Sequence, residues 1–219
     1  MNDGEFKDKY RIIFVLGFLL YLLRPPGSGK NTQCDRIIDR YSLIHFSAGD
    51  LLREEVNRLL NSKVKNKTEN GNFINNIIKE GKIVPVKITC KLIENAMSNY
   101  DKEKNIFIID GFPRNEENYL GWCENMKESA QIVCILFLEC PESVCTERIL
   151  KRSENSGRVD DNKSSLIKRF NTFSNETCPL IESLENNGEI KIVKVNANQI
   201  AEKVFTDIAE RLDKIIPIL

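Results

Sequence analysis

Residues 12–17, Ile12-Ile13-Phe14-Val15-Leu16-Gly17, are apolar at odd and even positions alike, and no other stretch limits the fold as strongly. A strand with one wet face alternates apolar and polar residues. One that is apolar on both parities has to be covered on both sides, as a central strand of a parallel sheet is. Residues 105–110 and 132–139 repeat the pattern, while 43–47 and 190–195 read as further strands. Between the strands the period becomes helical. Residues 32–41 put Ile37 and Ile38 inward and Asp35, Arg36, Asp39 and Arg40 outward; a second helix opens at 48, and 73–78 is helical up to Gly81. Further helices are expected at 86–97 after Pro85, and at 142–152, 162–173 and 200–215. Strand and helix in alternation predict an α/β fold around a parallel sheet. Residues 61–72, with Lys63, Lys65 and Lys67, read as a solvated surface loop.

A chain of 219 residues and 25.2 kDa sustains one sizeable core with small insertions, so a single domain over 1–219 is expected. Lys+Arg and Asp+Glu balance at 32 each, and the pI lies near 6.6. The overall field therefore gives no reason to expect nucleic acid or an anionic membrane as partner, and any anion site has to be local. Seven cysteines without a C-x-x-C pair fit reduced thiols in a cytosol-like compartment; Cys140 and Cys145 read as buried beside a strand. Residues 12–23 are apolar except for Gly17 and follow Lys7, Lys9 and Arg11. They fall short of the ~20 residues a membrane span needs, and Pro25-Pro26-Gly27 stands where a leader would carry small cleavage residues, so a leader is not expected.

The chemistry begins at Pro26-Gly27-Ser28-Gly29-Lys30-Asn31-Thr32. Glycines let backbone N–H groups close around phosphate oxygens, Lys30 adds a point charge, the next helix adds its dipole, and Thr32 can place a hydroxyl on Mg²⁺. Strand, loop and helix in succession are the context such a cradle requires. The stretch departs from the strict pattern at Arg24, where a glycine is wanted, and at Asn31, where Ser or Thr is wanted. Residues 18–25 also separate it from the strand. Asp110 ends a buried strand and so faces the ligand edge of the sheet, with Gly111-Phe112-Pro113-Arg114 following. Arg148 and Arg152 share a helix face, Arg158 follows Gly157, and Arg169 lies one helix further on. Arg158-Val159-Asp160-Asp161 can be a self-contained ion-pair network. Alternatively, the arginines converge as a clamp whose planar forks neutralise a transferring phosphoryl group.

Taken together, these motifs resemble the nucleoside monophosphate kinases and are most similar to the UMP/CMP branch, from about residue 11 to the C-terminus, with interruptions at 18–25 and around 60–70. The resemblance implies a three-layer P-loop kinase fold: a core of 11–47, 85–152 and 162–219, a helical monophosphate-binding insertion at 48–84, and a short lid at 153–161. It assigns ATP to Gly27, Ser28, Gly29, Lys30, Asn31, Thr32, Arg148 and Arg152, with Gln199 offering a backbone carbonyl to adenine. Ser47-Ala48-Gly49-Asp50-Leu51-Leu52-Arg53 matches the monophosphate-site helix, where Arg53 binds the acceptor phosphate. Lys82, Ile83 and Val84 match the segment whose backbone lines the acceptor base. Gly111, Phe112, Pro113 and Arg114 match the most recognisable family sequence, in which Asp110 orders Mg²⁺-bound water. Arg158 and Arg169 match the arginines that cover the transferring group. Ala48 stands where adenylate kinases usually have Thr and Asn118 where they usually have Gln, and Asn115 likewise matches the UMP/CMP branch. An amide offers donor and acceptor, so it can serve cytosine and uracil by orientation.

The implied reaction is ATP plus UMP or CMP to ADP plus UDP or CDP with Mg²⁺, dCMP being a further acceptor, in pyrimidine nucleotide biosynthesis. A cytoplasmic monomer is expected, with the nucleus as a second compartment. Lys30, Arg114, Arg158 and Arg169 would carry catalysis without a Ser, Cys or His nucleophile, and the lone His45 reads as an ordinary core or surface residue. Two alternatives stay open: an adenylate kinase, or a catalytically impaired nucleotide-binding protein, because the phosphate loop is interrupted. The interrupting residues 18–25 can bulge outward, can drag the loop out of position, or can be foreign to the working protein, as a translated intron would be.

Overall fold

The computed structural model describes residues 9–17, 33–101, 106–141, 143–144 and 163–216. In chain order the elements are β1 (Tyr10–Leu16), α1 (Gln33–Tyr41), β2 (Ile44–Ser47), α2 (Ala48–Leu60), α3 (Lys65–Lys79), α4 (Val86–Met97) and β3 (Ile106–Asp110). There follow α5 (Glu116–Met126), β4 (Ala130–Glu139), α6 (Lys163–Thr172), a π-helical turn (Phe173–Thr177), α7 (Cys178–Asn187), β5 (Ile192–Asn196) and α8 (Ala201–Leu212). The five strands are parallel in the order β2-β3-β1-β4-β5.

Strand parity divides the core into two layers, because successive side chains leave a strand on opposite faces. Ile13, Val15, Ile108 and Leu136 pack with Cys34 and Ile37 of α1 and with Val204, Ile208 and Leu212 of α8. Ile12, Phe14, Phe107 and Ile109 pack with Ile93 of α4, Trp122 of α5 and Ile181 of α7. β1 is central, and Ile12, Ile13, Phe14 and Val15 are each fully buried. Trp122 anchors the second layer, its ring 5.0 Å from that of Phe14 and 5.7 Å from that of Phe112. Cutting such a side chain back to alanine costs about 3–5 kcal/mol. A third, smaller cluster of Leu52, Val56, Leu59, Ile74 and Val84 gives the α2–α3 segment a core of its own.

The expected loop at 61–72 is corrected: α3 already begins at Lys65. Its contact with α2 runs through Gly71, where an added Cβ would come within 2.9 Å of Leu59 Cβ. A glycine leaves no mark in a hydrophobic period, so the sequence hid the packed face. The helix expected to end near 173 continues instead through the π turn into α7 and stops at Gly188, which has φ +66°. α5 and α7 had no counterpart among the expected elements. Among the described residues, no helix is long and apolar enough to cross a membrane.

Candidate active site

Two adjoining hollows, of about 590 and 440 Å³, open beside the carboxyl ends of β1, β2 and β3, sharing Gly81, Gly111, Arg114 and Arg169 in their walls. The first two turns of α2 contribute Ala48, Gly49, Leu52 and Arg53 to the larger hollow, and the end of α3 with the segment after it contributes Ile78 and Gly81 to Val84. Among the described residues, four walls of this hollow are cationic, Arg53, Lys82, Arg114 and Arg169, and none is a carboxylate. Such a pocket selects anions.

Local chemistry places each cation. Arg53 folds back one turn onto Asp50; a Cβ on Gly49 would lie 3.3 Å from its guanidinium and would push it aside by a few tenths of an ångström. Lys82 pairs with Glu80 at 2.7 Å. Arg114 Nε donates to the Gly111 carbonyl at 2.9 Å, immediately around the cis Phe112–Pro113 peptide. Gly81 has φ +70°, a conformation that disfavours a side chain, and its added Cβ would sit 3.3 Å from Arg169 Cγ. The insertion therefore meets α6 at a glycine, and Thr172 Oγ1 donates to the Gly81 carbonyl at 3.4 Å.

Of the residues expected around the acceptor, Ala48, Gly49, Arg53, Lys82, Ile83, Val84, Gly111, Phe112, Arg114, Asn118 and Arg169 line the larger hollow, and Pro113 the smaller. Asn115 lines neither. Its Oδ1 accepts from the Asn118 N–H at 2.9 Å as the N-cap of α5, and its Nδ2 donates to Glu176 at 2.8 Å. The cap and Glu176 thus engage the Asn115 amide, and of the two expected asparagines Asn118 is the one that lines the larger hollow. Asn118 is 3 % exposed, and its Oδ1 accepts from the Arg114 N–H at 3.3 Å. Its Nδ2 has no partner among the described residues, so the amide is oriented as a donor toward the pocket it lines. The sequence reading missed Leu52, Ile78, Gly81 and Thr89 in the larger hollow and Leu16, Gly17, Thr172, Phe173 and Thr177 in the smaller. Leu16, Gly17 and Leu52 sat inside stretches already singled out; the others carry no local signal. Gln199 lines neither hollow, and its side chain donates to the Asn196 carbonyl and to Asp207, both at 2.8 Å. Gly27, Ser28, Gly29, Lys30, Asn31, Thr32, Arg148, Arg152, Arg158, residues 18–25 and the lid at 153–161 lie outside the described residues.

His45 is not the ordinary residue the sequence suggested. Its Nε2 lies 2.6 Å from Asp110 Oδ2, while Ser47 Oγ donates to Asp110 Oδ1 at 3.2 Å. The register pairs Ser47 with Asp110 and His45 with Ile108, so the i, i+2 spacing brings both β2 side chains to the carboxylate's face. Asp110 and Ser47 offer the hard oxygen donors that Mg²⁺ takes, at a sheet edge beside an anion pocket, so the residues fit that ion. Burial pushes the thiols of Cys90 and Cys134 up to about 12, so neither is a thiolate nucleophile at neutral pH.

A parallel sheet with a cationic pocket at its carboxyl edge is an arrangement suited to binding a phosphate-bearing ligand. Residues 22–189 match the family described as adenylate kinase, and the chain belongs to that family. The match starts inside the 18–25 stretch, beyond β1. The UMP-CMP kinase of Danio rerio is 44 % identical over 209 residues, covering 94 % of this chain and 98 % of that protein. Those of Gallus gallus and Homo sapiens are 41 % and 40 % identical over 206 residues, each covering 93 % of this chain and 97 % of the relative.

Proposed function

We propose that this chain transfers the γ-phosphoryl group of ATP to UMP or CMP, giving ADP and UDP or CDP, with dCMP as a further acceptor. One observation carries the reading: among the described residues, a single pocket joins four cationic walls, no carboxylate, and a buried amide held as a donor. Uracil and cytosine both present acceptors on their edges, so the Asn118 donor serves either without turning over. Relatives of nearly the same length bear the name UMP-CMP kinase.

Phosphoryl transfer asks for positioning and charge neutralisation rather than a covalent intermediate. The acceptor's phosphate draws Arg53 from Asp50 and Lys82 from Glu80, pairs that are partly open to water and so exchangeable. Arg114, fixed by the Gly111 carbonyl between the two hollows, then bridges toward the donor side. Lys30, Arg158 and Arg169 neutralise the transferring group, Arg148 and Arg152 flank ATP, and Gln199 offers its backbone carbonyl to adenine. Asp110 and Thr32 would hold Mg²⁺, which would supply charge neutralisation to the phosphates. The setting is pyrimidine nucleotide biosynthesis by a monomer in the cytoplasm, with the nucleus as second compartment.

A coupled assay with ATP plus UMP, CMP or AMP in parallel tests this. Turnover of UMP and CMP should stand well above that of AMP. Equal or faster turnover of AMP would make the chain an adenylate kinase in activity, and no transfer to any acceptor would make it an impaired nucleotide-binding protein. Asn118→Ala should raise the acceptor KM by about 5–150-fold, the ~1–3 kcal/mol of a buried polar partner left unpaired.

A further inference from the structure

Cys34, His45 and Asp110 bring a thiol, an imidazole nitrogen and a carboxylate oxygen within 4.8 Å of one another. They come from three elements: the first turn of α1, the middle of β2 and the end of β3. We propose that these three side chains form a site for a borderline-soft divalent cation such as Zn²⁺, distinct in chemistry from the Mg²⁺ of the phosphoryl-transfer reaction.

Sulfur and imidazole ligands favour Zn²⁺ and Co²⁺ over Mg²⁺, which takes oxygen donors. With Zn–S near 2.3 Å and Zn–N or Zn–O near 2.0–2.1 Å, tetrahedral ligands stand about 3.3–3.6 Å apart. His45 Nε2 and Asp110 Oδ2, now 2.6 Å apart and hydrogen-bonded, have to open by less than about 1 Å, and the thiol, within 4.8 Å of both, has to close by at most about 1.5 Å. A thiolate and a carboxylate together balance a dication. Cys34 sits 2 % exposed against Ile37 and Ile108, while the His45 and Asp110 side chains, 14 % and 13 % exposed, leave a way in from solvent. Three protein ligands leave a fourth position for water. Because Asp110 is shared, occupancy by Zn²⁺ removes it from Mg²⁺; that consequence alone rests on the proposed function.

The test uses the full chain without nucleotide, so its outcome is independent of the reaction. Titration with Co²⁺ should give the d–d spectrum of a tetrahedral ion and a near-ultraviolet thiolate-to-cobalt charge-transfer band, at one equivalent. Cys34→Ala should abolish that band, and His45→Gln should weaken Co²⁺ binding by at least the ~10–100-fold typical even of a lost outer-shell partner. No thiolate band in the unaltered protein, or its persistence in Cys34→Ala, overturns the site. X-ray absorption of the Zn²⁺-loaded unaltered protein decides even where a variant folds badly: one sulfur at bonding distance supports the site, and none or several overturn it.

Discussion

Thr177 Oγ1 donates a 2.7 Å hydrogen bond to the carbonyl of Arg114, joining residues 63 apart in the chain. Thr177 closes the π turn between α6 and α7 and is 4 % exposed. The Arg114 backbone is thereby held from two sides, its N–H by Asn118 and its carbonyl by Thr177. One extra residue per turn is what a π-bulge inserts, and here the turn lines the smaller hollow with Phe173 and Thr177, beside Thr172 at the end of α6.

Thr177→Val keeps the shape and deletes the donor. It should destabilise the fold by about 1–3 kcal/mol, the cost of a buried carbonyl left unpaired, and raise the acceptor KM while leaving the ATP KM nearly unchanged. Steady-state kinetics with each substrate varied separately check this. An unchanged acceptor KM would show that Arg114 holds its place without Thr177.

Arg158→Ala and Arg169→Ala should each lower kcat by orders of magnitude and alter ATP affinity less, because a covering arginine meets the phosphoryl group most strongly as charge spreads. Single-turnover rates and equilibrium ATP binding separate the two effects. A kcat within a factor of ~3 of the parent would favour the ion-pair network over the clamp.

α1 is tied to the end of α8 by Asp213, which accepts from Tyr41 Oη at 2.6 Å and from Arg40 Nη2 at 2.8 Å. The Tyr41 hydroxyl first, and Arg40 after it, hold the Asp213 carboxyl below its usual range. A depressed folded pKa contributes stability above the unfolded value and loses it as pH falls through the folded one. Burial first, and Asp213 after it, push Tyr41 up to about 12. That contribution is complete below its ordinary value of 10.0 and is lost as pH rises through about 12. Thermal melts against pH should therefore lose part of their acid slope in Asp213→Asn and of their slope between pH 10 and 12 in Tyr41→Phe. Slopes identical to the parent's would show that this cluster does not couple to folding.

Residues 18–25 stand between β1 and the phosphate loop, and misplacing a reacting group by ~1 Å can lower a rate about 10²-fold. A chain with residues 18–25 replaced by a single glycine should be more soluble and markedly more active in kcat/KM than the chain as it stands. Equal or lower kcat/KM would make the stretch a working part of the enzyme.

Much of this protein could be read along the chain, because its strands are buried on both faces and such runs announce themselves. Residues 12–16 and 106–110 became the sheet's centre, β1 beside β3, and the motif at 47–53 became the strand-to-helix step that lines the pocket. The order β2-β3-β1-β4-β5 was not legible, nor was α3's true start, since Gly71 packs without an apolar side chain to mark it.

Residue type and spacing by themselves placed Asp110 at a ligand edge and put Arg169 among the candidates for a clamp; the family resemblance added Arg53, Arg114 and Asn118. Tertiary structure alone decided how they are used. His45 was an isolated histidine until β2 paired with β3 and brought it 2.6 Å from a carboxylate 65 residues away. Asn115 and Asn118 look alike three residues apart, yet a helix start turns the first into a cap and leaves the second facing the pocket. The reason is physical: a side chain's chemistry is local, but its partners are set by whichever distant backbone the packed core brings alongside it.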